Sequence, residues 1–286
     1  MQADKTLRIG AGKRISEVMM ANKMSADLAK YDIICTIKYY EADDKLTSIN
    51  KILHHALIHN EIDTASFDLS SLSVHRKKDD IVVTAISERK HTGEGLLISH
   101  PAYDPTCDLK IKPGSKVMVS TIRQGAQLLA MNPMISLVYN GLSTEAQILM
   151  FQDGKCEALL LSKTDYETIN IDGSSYEFLK LHPKEMIPPP GQGITAYLAH
   201  REDLKTRRLL KNIHNADMVQ ISNTERKVLQ LANSEDIDNI GVYCSTDQRG
   251  YFHVDAVRCD TFKKTSFSQS ISAGLPEKIY ASLFTT

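Results

Sequence analysis

The residues most capable of chemistry sit at a few short stretches. In GSKVMVSTIRQGAQL, Gly114 to Leu128, Ser120 and Thr121 stand where a strand gives way to a helix, with Arg123 just beyond. Backbone N–H groups and hydroxyls at such a junction form an anion site, and a guanidinium adds charge. An N-cap role for Ser120 or Thr121 explains the same residues equally well. In HHALIH, His55 and His59 lie at i, i+4 and could share a metal on one helical face, but no acidic or cysteine partner has matching spacing. Packed or surface histidines are the plainer reading. GAGK, Gly10 to Lys13, lacks the GxxxxGK[ST] spacing of a phosphate loop and reads as a strand-to-helix turn with a solvated lysine. DLSSLS, Asp68 to Ser73, falls at the C-terminal end of a strand, where α/β proteins seat their ligands, yet it offers mainly serines.

These residues are placed by an alternation of strands and helices. TLRIG reads as a strand, RISEVMMANKMSADLA as an amphipathic helix, YDIICTIKYY as a strand, LTSINKILHHALIHN as a helix and IDTASFDL as a strand. This βαβαβ order implies parallel strands with right-handed helical crossovers. After the loop ERKHTGEG the order repeats with KVMVST, TIRQGAQLLAMNP, MISLVYN, STEAQILMFQDG and CEALLLSK, Gly154 closing the last helix. Two such units predict similar domains facing each other across a cleft. The prolines of MIPPPGQG stiffen a linker, and its glycines, with Gln192 between them, allow close backbone approach. GITAYLAH reads as a strand and EDLKTRRLLKNIHN as a helix. The tail offers a helix at TERKVLQLAN, with Thr224 as a candidate cap, then IGVYCST and YFHVDAVRCD joined by a turn at DQRG, an antiparallel α+β pattern. The expected fold is α/β, two βαβ-type lobes plus a small α+β C-terminal domain. Residues 1–88 with 192–212 form the first domain, 91–188 the second and 216–286 the third.

With 286 residues, 42% hydrophobic and 24% charged, the chain has material for a sizeable core. A net charge of -1 gives no bulk attraction to nucleic acid or an anionic membrane. The five cysteines, Cys35, Cys107, Cys156, Cys244 and Cys259, are scattered without a CxxC pair, which argues against a disulfide framework or a zinc site. No signal-peptide pattern opens the sequence, and no apolar run is long enough to span a membrane, so a cytoplasmic location is expected.

The stretches TLRIG, ALIHNEIDTASFDLSSLS, ISERKHTGEGLLIS, GSKVMVSTIRQGAQL, DGKCEALLL, PPPGQG and TERKVLQLANSEDIDNIG occur in the order and approximate spacing of the porphobilinogen deaminase (hydroxymethylbilane synthase) family, which the chain resembles over nearly its whole length. The resemblance implies two lobes around a cleft, like a periplasmic binding protein, and a third domain whose loop cysteine carries a covalent dipyrromethane. Porphobilinogen units are added to that group with loss of ammonia. One aspartate is central to the chemistry, and arginines and lysines bind the acetate and propionate groups.

This chain departs from the pattern at its functional positions. Where the family reads His-Ser-x-Lys-Asp-x-Pro, it has Phe67, Asp68, Leu69, Ser70, Ser71, Leu72 and Ser73, which puts Ser71 at the catalytic aspartate position. A serine holds no charge at neutral pH and cannot stabilise a cationic pyrrole as a carboxylate does. Asp68 is the substitute candidate. Asp236 stands at the attachment cysteine position, so no dipyrromethane is expected; Cys244, farther along, reads as a buried small hydrophobe. The basic field is thinned: Gly12 aligns with the arginine after the first strand, beside Lys13 and Arg14, and the Arg-Arg pair is Arg123-Gln124. The loop with the family's Gly-Gly-Lys-Gly is shortened to EADDKLTS. Lys13, Ser120, Thr121, Arg123, Gln192 and Gly193 remain as candidate ligand-binding residues. The expectation is a monomeric ligand-binding or regulatory relative without the deaminase reaction, whose partner is a small anionic molecule, with pyrroles and tetrapyrroles as candidates. The rival is an active hydroxymethylbilane synthase using Asp68 as its carboxylate, with Cys244 or a noncovalent mode holding the primer.

Overall fold

A computed structural model describes residues 5–41, 48–74, 80–90, 92–168, 175–232 and 238–285. In chain order the elements are β1 (Thr6–Gly12), α1 (Ile15–Ala29), β2 (Ile34–Tyr40), α2 (Ile49–Ile58), β3 (Thr64–Asp68), β4 (Ile81–Ile86), β5 (Glu94–Ser99), β6 (Lys116–Val119), α3 (Ile122–Met131), β7 (Ser136–Tyr139), α4 (Thr144–Gln152), β8 (Ala158–Ser162), α5 (Lys163–Thr168), β9 (Tyr176–Lys180), β10 (Thr195–His200), α6 (Leu204–Leu210), α7 (Asp217–Leu231), β11 (Ile240–Thr246), β12 (Phe252–Arg258), β13 (Lys263–Gln269) and α8 (Leu275–Phe284). The chain forms two compact units, Met1–Lys90 with Gly193–Gln220, and His91–Gln192 with Ile221–Thr286.

The first unit is built on a five-stranded sheet in the order β2-β1-β3-β10-β4. β1 runs parallel to β2 and β3, as the βαβ alternation requires. β10 is threaded antiparallel between β3 and β4. The period of two along each strand divides the core between the sheet faces. Leu7, Ile9 and Tyr197 pack with Met24 and Leu28 of α1. Phe67 and Leu198 pack with Leu53 and Leu57 of α2. Removing each such side chain from water is worth about 1.5–3 kcal/mol.

The second unit repeats the plan in the order β7-β6-β8-β5-β9, with β6 parallel to β7 and β8 and β5 antiparallel to β8 and β9. It also contains the antiparallel sheet β11-β12-β13. Ile187, Val257 and Cys259 form a small core against Ala126 and Tyr243, and the Val242 N–H donates to Pro188 O. β11 runs so close to residue 187 that a Cβ at Gly241 would lie 2.6 Å from Ile187 O, so this position requires glycine. The fold class is therefore α/β with a small α+β portion.

The strands and helices read from apolar periodicity are present, and Gly154 follows α4 with φ 71°. The sequence pattern does not reveal β4, β5, α5, β9, β13 or α8. One expectation fails. Thr224 does not cap a helix, because α7 begins seven residues earlier at Asp217 and Thr224 is 3% exposed inside it. Asn215 supplies the capping interaction, its Oδ1 accepting the Met218 N–H at 3.1 Å. Residues 42–47 of the EADDKLTS loop and residue 236 lie outside the described residues.

Candidate functional site

The serine-rich segment is a tight turn closed on itself. β3 is a central strand, buried from Thr64 to Phe67, and it ends as Asp68 pairs with Thr195 of β10. Residues Leu69–Ser71 form a 3-10 turn seated by the apolar side chains of Leu69 and Leu72 and by the Leu69 N–H donating to Ile194 O at 2.8 Å. Asp68 caps this turn. Its Oδ1 accepts the Ser70 N–H at 2.8 Å and the Ser70 hydroxyl at 2.6 Å. The Ser71 hydroxyl donates to Asp68 O at 2.8 Å. Thus the one carboxylate is engaged by its own turn. Ser71 presents a neutral hydroxyl bonded to backbone.

Gly12 and Lys13 follow β1. A Cβ at Gly12 would collide with the Glu17 carboxylate, whose Oε2 accepts the Arg14 N–H at 3.2 Å. A carboxylate therefore occupies the space next to the Gly12 backbone. Lys13 ion-pairs with Glu41 and holds its carboxyl below the ordinary range. The His55 and His59 rings meet at a tilt of 47°, their centroids 4.1 Å apart. Among the described residues, no group of three or more His, Cys, Asp or Glu could hold a metal ion.

In the second unit, Thr121 caps α3 in a reciprocal capping box. Its Oγ accepts the Gln124 N–H at 3.2 Å, and Gln124 Oε1 accepts the N–H groups of Ser120 at 2.8 Å and Thr121 at 3.1 Å. Ser120 ends exposed beyond β6, with its Oγ accepting from Gln147 Nε2 at 2.9 Å. Arg123 is 4% exposed. Its guanidinium bridges Glu94 at 2.8 and 3.1 Å and donates to Ile187 O at 2.7 Å. Gln124 Nε2 adds a 2.8 Å bond to the same carboxylate. Arg123 thus joins β5 to the proline-rich segment, and the hydrogen bonds described for it are all internal. Glu94 escaped the sequence reading. Its only signal was a lone acid opening the apolar run EGLLIS, 29 residues before its partner.

The GQG turn is held in the same way. Gly191 and Gly193 have φ of 86° and 76°, Gln192 Oε1 accepts the Gly93 N–H at 3.3 Å, and the Gly191 N–H donates to Glu225 Oε2 at 2.7 Å. Glu225 is fully buried and also accepts the Cys244 N–H at 2.7 Å.

A covalent thioether needs a reactive thiolate. Among the described cysteines, Cys156, Cys244 and Cys259 are buried, and burial raises the Cys35 thiol. Cys244 is 1% exposed within β11, while burial pushes the Cys156 and Cys259 thiols up to about 11. Cys259 Sγ donates to Arg123 O at 3.7 Å.

A family profile described as "Porphobilinogen deaminase, dipyromethane cofactor binding domain" matches residues 21–208. A porphobilinogen deaminase of Chloroherpeton thalassium is 27% identical over 202 residues, 70% of this chain and 62% of that protein. One of Oceanobacillus iheyensis is 27% identical over 210 residues, 70% of this chain and 66% of that protein, so the chain covers less than two thirds of either relative. One of Caldicellulosiruptor saccharolyticus is 26% identical over 258 residues, 85% of this chain and 86% of that protein. Among solved structures, the methionine binding protein MetQ is similar with a TM-score of 0.47 at 10% identity, covering 77% of this chain and 94% of that one.

Proposed function

The chain belongs to the porphobilinogen deaminase family, and on that premise we propose that it is a ligand-binding or regulatory relative that does not carry out the family's deaminating polymerisation. The observation that carries this reading is the turn after β3. Ser71 occupies the catalytic aspartate position with its hydroxyl given to Asp68 O, and Asp68 itself clasps Ser70. An ionised carboxylate aimed at a developing positive charge is the largest contribution such a site could make. A neutral hydroxyl does not replace it. Three further features support the same reading: Asp236 at the attachment position, Gly12 in place of an arginine, and Arg123 paired with Glu94. The buried cysteines Cys156, Cys244 and Cys259 do not fit a covalent dipyrromethane.

The candidate ligand is a small anion of pyrrole or tetrapyrrole type, and the protein is cytoplasmic and monomeric. Among the described residues, no helix is long and apolar enough to cross a membrane. Each unit offers its own candidate contact, Lys13 in the first and Ser120 in the second. Thr121, Arg123 and Gln192 would shape the backbone in the second unit, and Gly193 in the first.

The test is the intact mass of protein purified from a host that makes porphobilinogen, followed by a turnover assay. The expected result is the bare chain mass, no tetrapyrrole product, and heat on titration with porphobilinogen or a linear tetrapyrrole. A mass excess of one dipyrromethane with sustained product formation overturns the proposal. If Asp68→Asn, which retains a cap but loses the charge, then abolished turnover, Asp68 would be the working carboxylate.

A further inference from the structure

The first unit contains a cavity of about 250 Å³ that shares no residue with the serine turn. It is lined by the second half of α1, by Ser87 and Glu88 after β4, by Tyr197 of β10, and by the connection from α6 to α7. Tyr197 is 2% exposed, yet no partner for its hydroxyl occurs among the described residues. Burial, with the Asp27 and Glu88 carboxylates, pushes its phenol up to about 12, so it remains a donor at neutral pH. Tyr197 borders the cavity, and its phenol can donate to an acceptor placed there.

The other lining groups also present donors. Lys23 and Lys30 each place the ammonium 2.7 Å from Asp27, which occupies both carboxylate oxygens and leaves each lysine further N–H groups. His214 Nδ1 accepts the Ile86 N–H at 3.2 Å, so the neutral ring carries its proton on Nε2. Asn215 Oδ1 accepts from the Met218 N–H, leaving its NH2 as the available end. Glu88 pairs with Lys90 at 3.0 Å. In the lining Lys23 and Lys30 balance Asp27 and Glu88, and Lys90, outside the lining but paired with Glu88, brings the local group to an excess of one positive charge.

We propose that this cavity binds a small monoanionic carboxylate, its oxygens accepting from Tyr197, His214 and the α1 lysines. The volume lies below the roughly 300–1,000 Å³ range of drug-sized pockets, which limits the ligand to a small metabolite. A single excess cation matches one carboxylate. A phosphate dianion would be opposed by Asp27 and Glu88. The site also has a structural consequence. Residues 87–90 and 212–220 are the stretches through which the chain leaves the first unit toward the second. They are already joined through Ile86, which donates to His214 and accepts the Asn215 N–H at 2.8 Å. A ligand on Tyr197 and His214 would fasten the two stretches more firmly.

The experiment is an amide NMR titration of the full chain with butyrate and, separately, with inorganic phosphate, both at millimolar concentrations. Saturable butyrate shifts centred on residues 87–90 and 212–215 are expected. Tyr197→Phe keeps the ring and the core and should weaken binding about tenfold, the loss of one hydrogen bond to a charged acceptor. Lys30→Met, at an exposed position, should weaken it as well. No saturable shift at these amides overturns the proposal. Butyrate binding unchanged in both variants, or tighter binding of phosphate, overturns the assignment of the carboxylate site. None of these outcomes depends on whether the chain turns over porphobilinogen.

Discussion

Arg123 is the residue whose chemistry changes most between sequence and structure. Beside Ser120 and Thr121 it resembles part of an anion grip. In the fold it is a buried cation balanced by Glu94, with Gln124 bonded to the same carboxylate. Removing one member of a buried pair strands the other's charge. Arg123→Met should therefore lower stability by about 3–5 kcal/mol in urea denaturation. Adding Glu94→Leu should recover much of that loss, because both charges then leave the interior together. A ligand-gripping arginine would show the opposite pattern, with weaker binding and little change in stability.

At the scale of elements, Arg8 and Asp63 hold β1 to the entry of β3. The Arg8 backbone N–H and guanidinium donate to Asp63 at 2.7 Å each, and the Asp63 N–H returns a bond to Arg8 O at 2.9 Å. Burial alone would raise the Asp63 carboxyl, but the Arg8 hydrogen bonds outweigh it and hold it below the ordinary range. A folded value below the unfolded one gives stability that is complete above the unfolded pKa. That stability is lost as pH falls through the folded value. Acid titration of unfolding should show this loss in the wild type and a shallower acid limb in Asp63→Asn. The parallel strands of this sheet were legible because their apolar runs alternate with amphipathic helices. β13 was not, because KKTSFSQ is half-exposed and mostly polar, and only pairing with β12 makes it a strand. β10 was legible as a strand but not as the antiparallel insertion between β3 and β4, because register and direction depend on distant partners.

At the scale of the molecule, Glu225 binds segments of the second unit that lie far apart in sequence. It accepts the N–H groups of Gly191 and Cys244 while wholly buried. Glu225→Ala would leave both donors unpaired, at about 1–3 kcal/mol each. Hydrogen exchange should accelerate at Gly191, Cys244 and along β11, with the β1–β3 amides of the first unit unchanged. Uniform acceleration across both units would show that they open together.

The sequence by itself determined the βαβ order, the α/β class and the family. Those depend on local periodicity, residue identity and linear spacing. Tertiary structure alone decided where the charged and polar side chains point. Arg123 meets Glu94, Asp68 folds back on Ser70, and Tyr197 reaches a cavity lined from α1 and the entry to α7. The physical reason is range. Helix and strand formation responds to neighbours within a few residues, whereas the partner of a buried charge is chosen by whatever the packed chain brings within hydrogen-bonding distance.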